Sequence, residues 1–221
     1  MLYVENSFLS VKIHVRKVDE NKIAEYLVAV RTHAPKSRGK SIRTDGRGTG
    51  SSVVKIRPRD LTISQSETSQ CWAWIRDPPS SDEEVAEMMD LCRLEIEGKS
   101  DCKDLTTGKT YAAYLIFKIA EESCGLTSPY PDARVALGDH EAKACAVCLD
   151  PSKGKKKHED DVRLPRKRND GWMEIELGEF TVNRGEEGEK VRMSLSETKV
   201  MNWKKGLIVG GIEIRPKKKA A

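Results

Sequence analysis

Hydrophobic and polar residues alternate with a period of two through much of this chain, and its apolar runs are short. Leu94-Glu95-Ile96-Glu97-Gly98 puts apolar side chains on one face of an extended segment and acids on the other. The stretch Trp172–Leu177 behaves the same way: Trp172, Glu174 and Glu176 point to one side, Met173, Ile175 and Leu177 to the other. One face of that strand must be core and the other open to solvent or ligand. Tyr111–Ile119 is almost continuously apolar, the pattern of a strand covered on both sides. Further strand character falls at Leu61–Ile63, Cys71–Ile75, Arg134–Leu137, Ala144–Leu149, Val191–Leu195 and Leu207–Ile214. Turn residues separate these stretches at Gly108, Pro129–Pro131, Gly185–Gly188 and Lys204–Gly206. The one helical signal is Asp82–Glu87, with Ser81 as N-cap and acids in the first turn, where the helix dipole favours them. Some eight short strands without a βαβ rhythm predict an all-β fold: an antiparallel jelly-roll β-sandwich with one short helix.

The N-terminal part reads differently. Ser7–Val15 alternates loosely, and Ile23–Val30 suits a short helix or a strand equally well. Residues 35–52 are rich in Gly, Ser, Lys and Arg, with Ile42 as their only large apolar residue, so they predict a flexible basic linker. The expected organisation is a leader and linker over 1–52, a domain over 53–216 and a basic tail over 217–221. Charge follows this division. Residues 1–57 carry a net +7 and residues 58–221 a net −3, within a chain total of +4. A slightly acidic body argues against a protein that coats nucleic acid with its whole surface. No apolar run approaches the ~18 residues of a membrane span, and Glu5, Asn6, Ser7 and Ser10 interrupt any export signal. The six cysteines are therefore expected as thiols in a reducing compartment.

Four groups of residues are candidates for chemistry. All four tryptophans (Trp72, Trp74, Trp172, Trp203) lie in the domain, and Trp72 and Trp74 would share a strand face. Such a pair is either core or a flat shelf for the C–H face of a sugar, and composition alone favours core. Glu186, Glu187, Glu189 and Glu197 surround a glycine-rich turn. They read as a solvated turn, as acceptors for sugar hydroxyls or, least well, as a glycosidase pair, since no histidine accompanies them. Cys145 and Cys148, with His140 and His158 nearby, have half the spacing of a zinc site, but on a regular strand they would face opposite ways, which favours buried thiols. Residues 153–168 hold eight basic and three acidic residues. That loop reads as solvated, as a nuclear-import signal through Lys155, Lys156, Lys157, Arg166, Lys167 and Arg168, or as an RNA-phosphate patch lacking interleaved aromatics.

The order of the motifs is more specific than any one of them. Arg59-Asp60-Leu61-Thr62-Ile63 is followed by Gln70-Cys71-Trp72-Ala73-Trp74, Glu84-Val85-Ala86-Glu87, Leu94–Lys99 and Thr110–Lys118. Asp170–Phe180, Trp203–Val209 and Ile212-Glu213-Ile214-Arg215-Pro216 complete the series. Over residues 53–216 the chain resembles the Nictaba-type lectins, the plant phloem protein two family. The resemblance implies a non-catalytic lectin, without cofactor or metal, for N-acetylglucosamine oligomers and the chitobiose core of N-glycans on glycoproteins. It also implies residence in cytoplasm and nucleus, frequent homodimers and no membrane attachment. Of the family's sugar-binding residues, one tryptophan corresponds to Trp72 and the other to Gln65, which removes a stacking face; the two glutamates correspond to Glu189 and Glu197. The family's lysine run falls on Lys155–Lys157. Relatives often carry an F-box before the lectin, of which residues 1–52 show no recognisable version. The expected ligand-facing ring is an exposed Trp72. The alternative is a protein- or RNA-interaction module of the same fold with weakened or lost sugar binding.

Overall fold

A computed structural model describes residues 53–78, 82–141, 143–152 and 161–217. The leader and linker, residues 153–160 and residues 218–221 lie outside the described residues. In chain order the strands are β1 (Val54–Ile56), β2 (Thr62–Ile63), β3 (Trp72–Arg76), β4 (Glu84–Met88), β5 (Leu94–Asp101), β6 (Thr110–Cys124) and β7 (Asp132–Leu137). They continue as β8 (His140–Glu141), β9 (Cys145–Ala146), β10 (Arg166–Lys167), β11 (Met173–Thr181), β12 (Lys190–Glu197) and β13 (Lys205–Pro216).

Two antiparallel sheets hold these strands. The larger has the order β10-β11-β6-β13-β4-β3, with β1 also on β13; the smaller runs β2-β5-β12-β7-β8, with β9 also on β7. From β4 the long strands β4, β5, β6, β7, β11, β12 and β13 alternate between the two sheets. That winding is the jelly-roll sandwich expected from the pattern. The layers meet closely where a side chain is missing. A Cβ on Gly98 would lie 2.9 Å from Ile212 Cδ1 in the opposite sheet, and one on Gly178 2.9 Å from Val135 Cγ2. Between them Leu94, Ile96, Leu115, Phe117, Ile175, Leu177, Met193 and Leu195 are fully buried.

Periodicity placed the alternating strands β5 and β11 correctly. In β5 the residues alternate buried and accessible from Leu94 to Asp101, and in β11 Ile175 and Leu177 are buried while Glu174 and Glu176 are half-buried on the outer face. The expected helix at 82–87 is a correction: Glu84–Met88 is strand β4, paired with β3 on one side and β13 on the other. Two flanking ladders satisfy its backbone groups, whereas a single helical turn nucleates poorly and leaves most of its own unpaired. Val85, Ala86 and Met88 enter the core, and Glu84 turns outward to Arg59 at 2.8 Å. Among the described residues helical geometry is confined to two 3-10 turns, Pro58–Asp60 and Cys102–Asp104. No helix among them is long and apolar enough to cross a membrane.

Strand β13 changes partner along its length, pairing β4 at Ile208–Val209 and β1 at Ile212–Ile214. The join is a bulge at Gly210–Gly211. Gly211 has φ 114°, and a Cβ there would be 2.3 Å from Ile56 O, so only glycine permits both the turn of the chain and the approach of β1.

Candidate functional site

The indole of Trp72 does not lie bare on the sandwich rim. It is 1% exposed, and its Nε1 donates to Ser64 O at 3.0 Å. The expectation of an exposed Trp72 is therefore corrected: β3 turns this ring inward, and the β2–β3 loop closes over it. The same loop ties down Trp74, whose Nε1 donates to Ser66 O at 3.2 Å. Two indoles two residues apart thus bond two carbonyls two residues apart, and the loop becomes a strap fastened to the strand. Successive turns stiffen it, with Ser66 N on Ile63 O, Thr68 N on Gln65 O, and Cys71 N and Trp72 N both on Thr68 O. Gln65 sits in the left-handed region at φ 59°, half-buried, and its Oε1 accepts from Cys71 Sγ at 3.0 Å. Burial, with Cys92 and Asp90 adding, pushes the Cys71 thiol up to about 11, so it stays protonated and can donate. Gln65 therefore holds the turn and is not bare to solvent.

Trp74, one step nearer the strand end, is half-buried. The Arg59 guanidinium lies 3.6 Å over its ring, while Nε and Nη2 of Arg59 bind Glu84 Oε2 at 3.0 and 2.8 Å. Around this indole is a depression of about 250 Å³, lined by Arg59, Ser66, Glu67, Ser69, Ala73 and both indoles. It combines an aromatic wall with a donor, an acceptor and two hydroxyls that do both. Arg59, Ser66, Glu67 and Ser69 were not anticipated; the two-residue spacing of the tryptophans was the signal that could have drawn attention to the loop above them.

The two glutamates separate. Glu197 is 2% exposed, and its Oε2 meets Lys204 Nζ at 2.5 Å in a pair of which each side chain is 1% exposed. Its Oε1 accepts from Lys199 N and Val200 N at 3.1 and 3.0 Å. The ammonium also donates to Cys92 O, Asn202 O and Asn202 Oδ1. Glu197 is therefore a structural anchor of the β12–β13 loop, and the expectation that it faces a sugar is corrected by this burial. Glu189 is exposed, just before β12 begins, whereas Glu197 ends it. Eight residues of strand place them about 26 Å apart. The structure brings Trp72 and Gln65 together at the strap, puts Glu197 opposite Leu94 on β5, and leaves Glu189 at the far end of β12. Glu186 and Glu187 serve the turn itself: Glu186 Oε2 accepts from Asn183 N, and Glu187 Oε2 from Gly185 N. Hydrogen bonds from its own N–H, Gly185 and Thr107 hold the Glu187 carboxyl below the usual range.

Of the basic cluster, Lys155, Lys156 and Lys157 lie outside the described residues. Arg166 and Lys167 are exposed on β10. Arg168 is not presented to a partner. Its guanidinium bonds Asp170 at 3.0 Å, Glu174 at 3.3 Å and Glu213 at 3.0 Å, so it belongs to the outer face of the large sheet. Cys148 is buried, and that burial raises its thiol, while Cys145 donates weakly to backbone carbonyls.

A two-sheet jelly roll whose β2–β3 loop straps an indole pair, with a polar depression beside the outer ring, defines the class. The family model of phloem protein 2 matches residues 51–216, and the chain belongs to that family. It is 35% identical over 173 residues to "F-box protein PP2-B10" of Arabidopsis thaliana, covering 78% of this chain and 63% of the relative. It is 34% identical over 184 residues to "F-box protein VBF" of the same plant, covering 73% and 65%. The chain thus spans less than two thirds of the length of these curated relatives. Among solved structures it is similar to a family 35 carbohydrate-binding module from Clostridium thermocellum, with TM-score 0.40 and 12% identity over 74% of this chain and 97% of that one.

Proposed function

We propose that the domain is a non-catalytic carbohydrate-binding module for N-acetylglucosamine oligomers and N-glycan cores, with the part of Trp74 that Arg59 leaves uncovered as its aromatic wall. The observation that carries this reading is the depression in which a half-buried indole meets Arg59, Ser66, Glu67 and Ser69. Sugar rings need an apolar face, and their hydroxyls need groups that donate and accept. Arg59 supplies Nη1 for an acetamido carbonyl, because Glu84 engages its other nitrogens. Glu67 and the two serines supply acceptors. Membership of the phloem protein 2 family, with the lectin function its resemblance implies, supports the same reading. In a longer protein built like the F-box relatives, this module would select glycosylated clients. In cytoplasm and nucleus, where the resemblance puts such proteins, Lys155–Lys157 with Arg166 and Lys167 would form the import cluster.

A glycan array probed with the full chain tests the proposal. Signal on chitin oligomers and chitobiose-core glycans is expected. The second reading, a protein- or RNA-interaction module, is favoured by the burial of Trp72 and by Gln65 standing where the family has a second ring. A blank array, with RNA affinity falling steeply as salt rises, would replace the lectin by that module.

A further inference from the structure

The outer face of the large sheet carries another depression, of about 240 Å³. Tyr114 of β6 and Glu174 and Glu176 of β11 form its floor, and Arg163 and Leu164, on the approach to β10, with Arg166 of β10 itself, form its wall. We propose that this is a binding site for a single neutral sugar residue, separate from the one at Trp74.

Charge selects the ligand class. Two carboxylates and two guanidiniums line the depression, so their formal charges cancel. A phosphate drawn to Arg163 and Arg166 would meet Glu174 and Glu176, and a cation would meet the reverse, so neither gains much from the lining. Arg168, Arg215 and Lys217 behind the carboxylates are themselves paired with Glu213 and Glu179. A polyhydroxyl ligand fits better. Each sugar hydroxyl donates one hydrogen bond and accepts others; guanidiniums only donate, carboxylates only accept, and Tyr114 Oη does both.

The acceptors are set before any ligand arrives. Glu174 Oε2 is held by Arg168 Nη1 at 3.3 Å and by Arg215 Nη2 at 2.8 Å. Glu176 is held by Tyr114 Oη at 3.4 Å, Arg163 at 3.7 Å and Lys217 at 3.6 Å. Arg215 also lies 4.0 Å over the Tyr114 ring and fixes it. Preset groups cost little to order on binding. Arg166, by contrast, is exposed and makes no ion pair among the described residues. Beside it Leu164 is 47% exposed, an apolar surface for the C–H side of a ring. The space is smaller than the ~300–1,000 Å³ of drug-sized pockets, which suits one ring and not an oligomer.

This proposal does not rest on the Trp74 reading, and amide-resolved NMR of the labelled full chain separates the two. The probes are chitotriose, methyl α-mannoside, methyl β-galactoside and inorganic phosphate. At least one neutral sugar should shift the Leu164, Arg166 and Glu176 amides saturably. Arg166→Ala, and independently Glu176→Gln, should weaken that response by about tenfold, the effect of one lost charged hydrogen bond. Trp74→Ala should leave it intact. Silence of these amides toward all three sugars overturns the proposal, whatever the Ser66–Ser69 amides do. Saturable binding of phosphate in place of sugar, or a sugar response unchanged in both Arg166→Ala and Glu176→Gln, overturns it too.

Discussion

Side by side on β3, Trp72 and Trp74 divide two tasks by depth. The inner ring fills the core under the strap, so Trp72→Ala leaves a large cavity and an unpaired Ser64 carbonyl. It should cost roughly 3–5 kcal/mol of stability, read by urea unfolding. The buried Glu197–Lys204 pair makes a second residue-scale prediction. Lys204→Met strands a carboxylate in the core and should cost roughly 3–5 kcal/mol, whereas Glu197→Met with Lys204→Met should recover most of that loss. If the double variant unfolds as easily as the single one, the cost comes from the Asn202 and Cys92 bonds of the lysine and not from the stranded charge.

At the scale of elements, the bulge in β13 lets one strand serve two partners. Gly211→Ala collides with the β1 backbone and should destabilise by about 3 kcal/mol or more, with the β1 amides losing hydrogen-exchange protection first. On the outer face, Arg168 ties the end of β10 to β11 and β13. Burial alone would raise the Glu213 carboxyl, but the hydrogen bond and charge of Arg168, with Lys55, outweigh it and hold the group below its usual value of 4.5. A depressed folded-state pKa gives stability that is present above the unfolded value and lost as pH falls through the folded one. The stability gap between the parent and Arg168→Met should therefore be widest at neutral pH and narrow below pH 4.5 in denaturant titrations. Long strands such as β5, β11 and β12 were legible because one buried face imposes a period of two over many residues, and β6 because it is apolar almost throughout its first half. Strand β4 was not, since five residues with acids at 84 and 87 fit either period, and only its neighbours on both edges decide.

For the whole molecule, the order of motifs revealed the family and the sandwich, because a jelly roll fixes which strands follow which. The site was legible only as far as the pair of indoles. Periodicity puts Trp72 and Trp74 on the same face but cannot say which one the β2–β3 loop covers, and that loop's carbonyls decide it. Nor could it separate Glu189 from Glu197, which are near in sequence but stand at opposite ends of β12. The open side of β11, by contrast, was readable from Trp172, Glu174 and Glu176, and the second depression lies on it. The most direct test of the account is calorimetric titration of chitotriose into the full chain and two variants. Trp74→Ala should lose about threefold to tenfold in affinity, the worth of one aromatic contact, while Glu189→Gln, at the far end of β12, binds as the parent does. Binding lost in Glu189→Gln and kept in Trp74→Ala would contradict it.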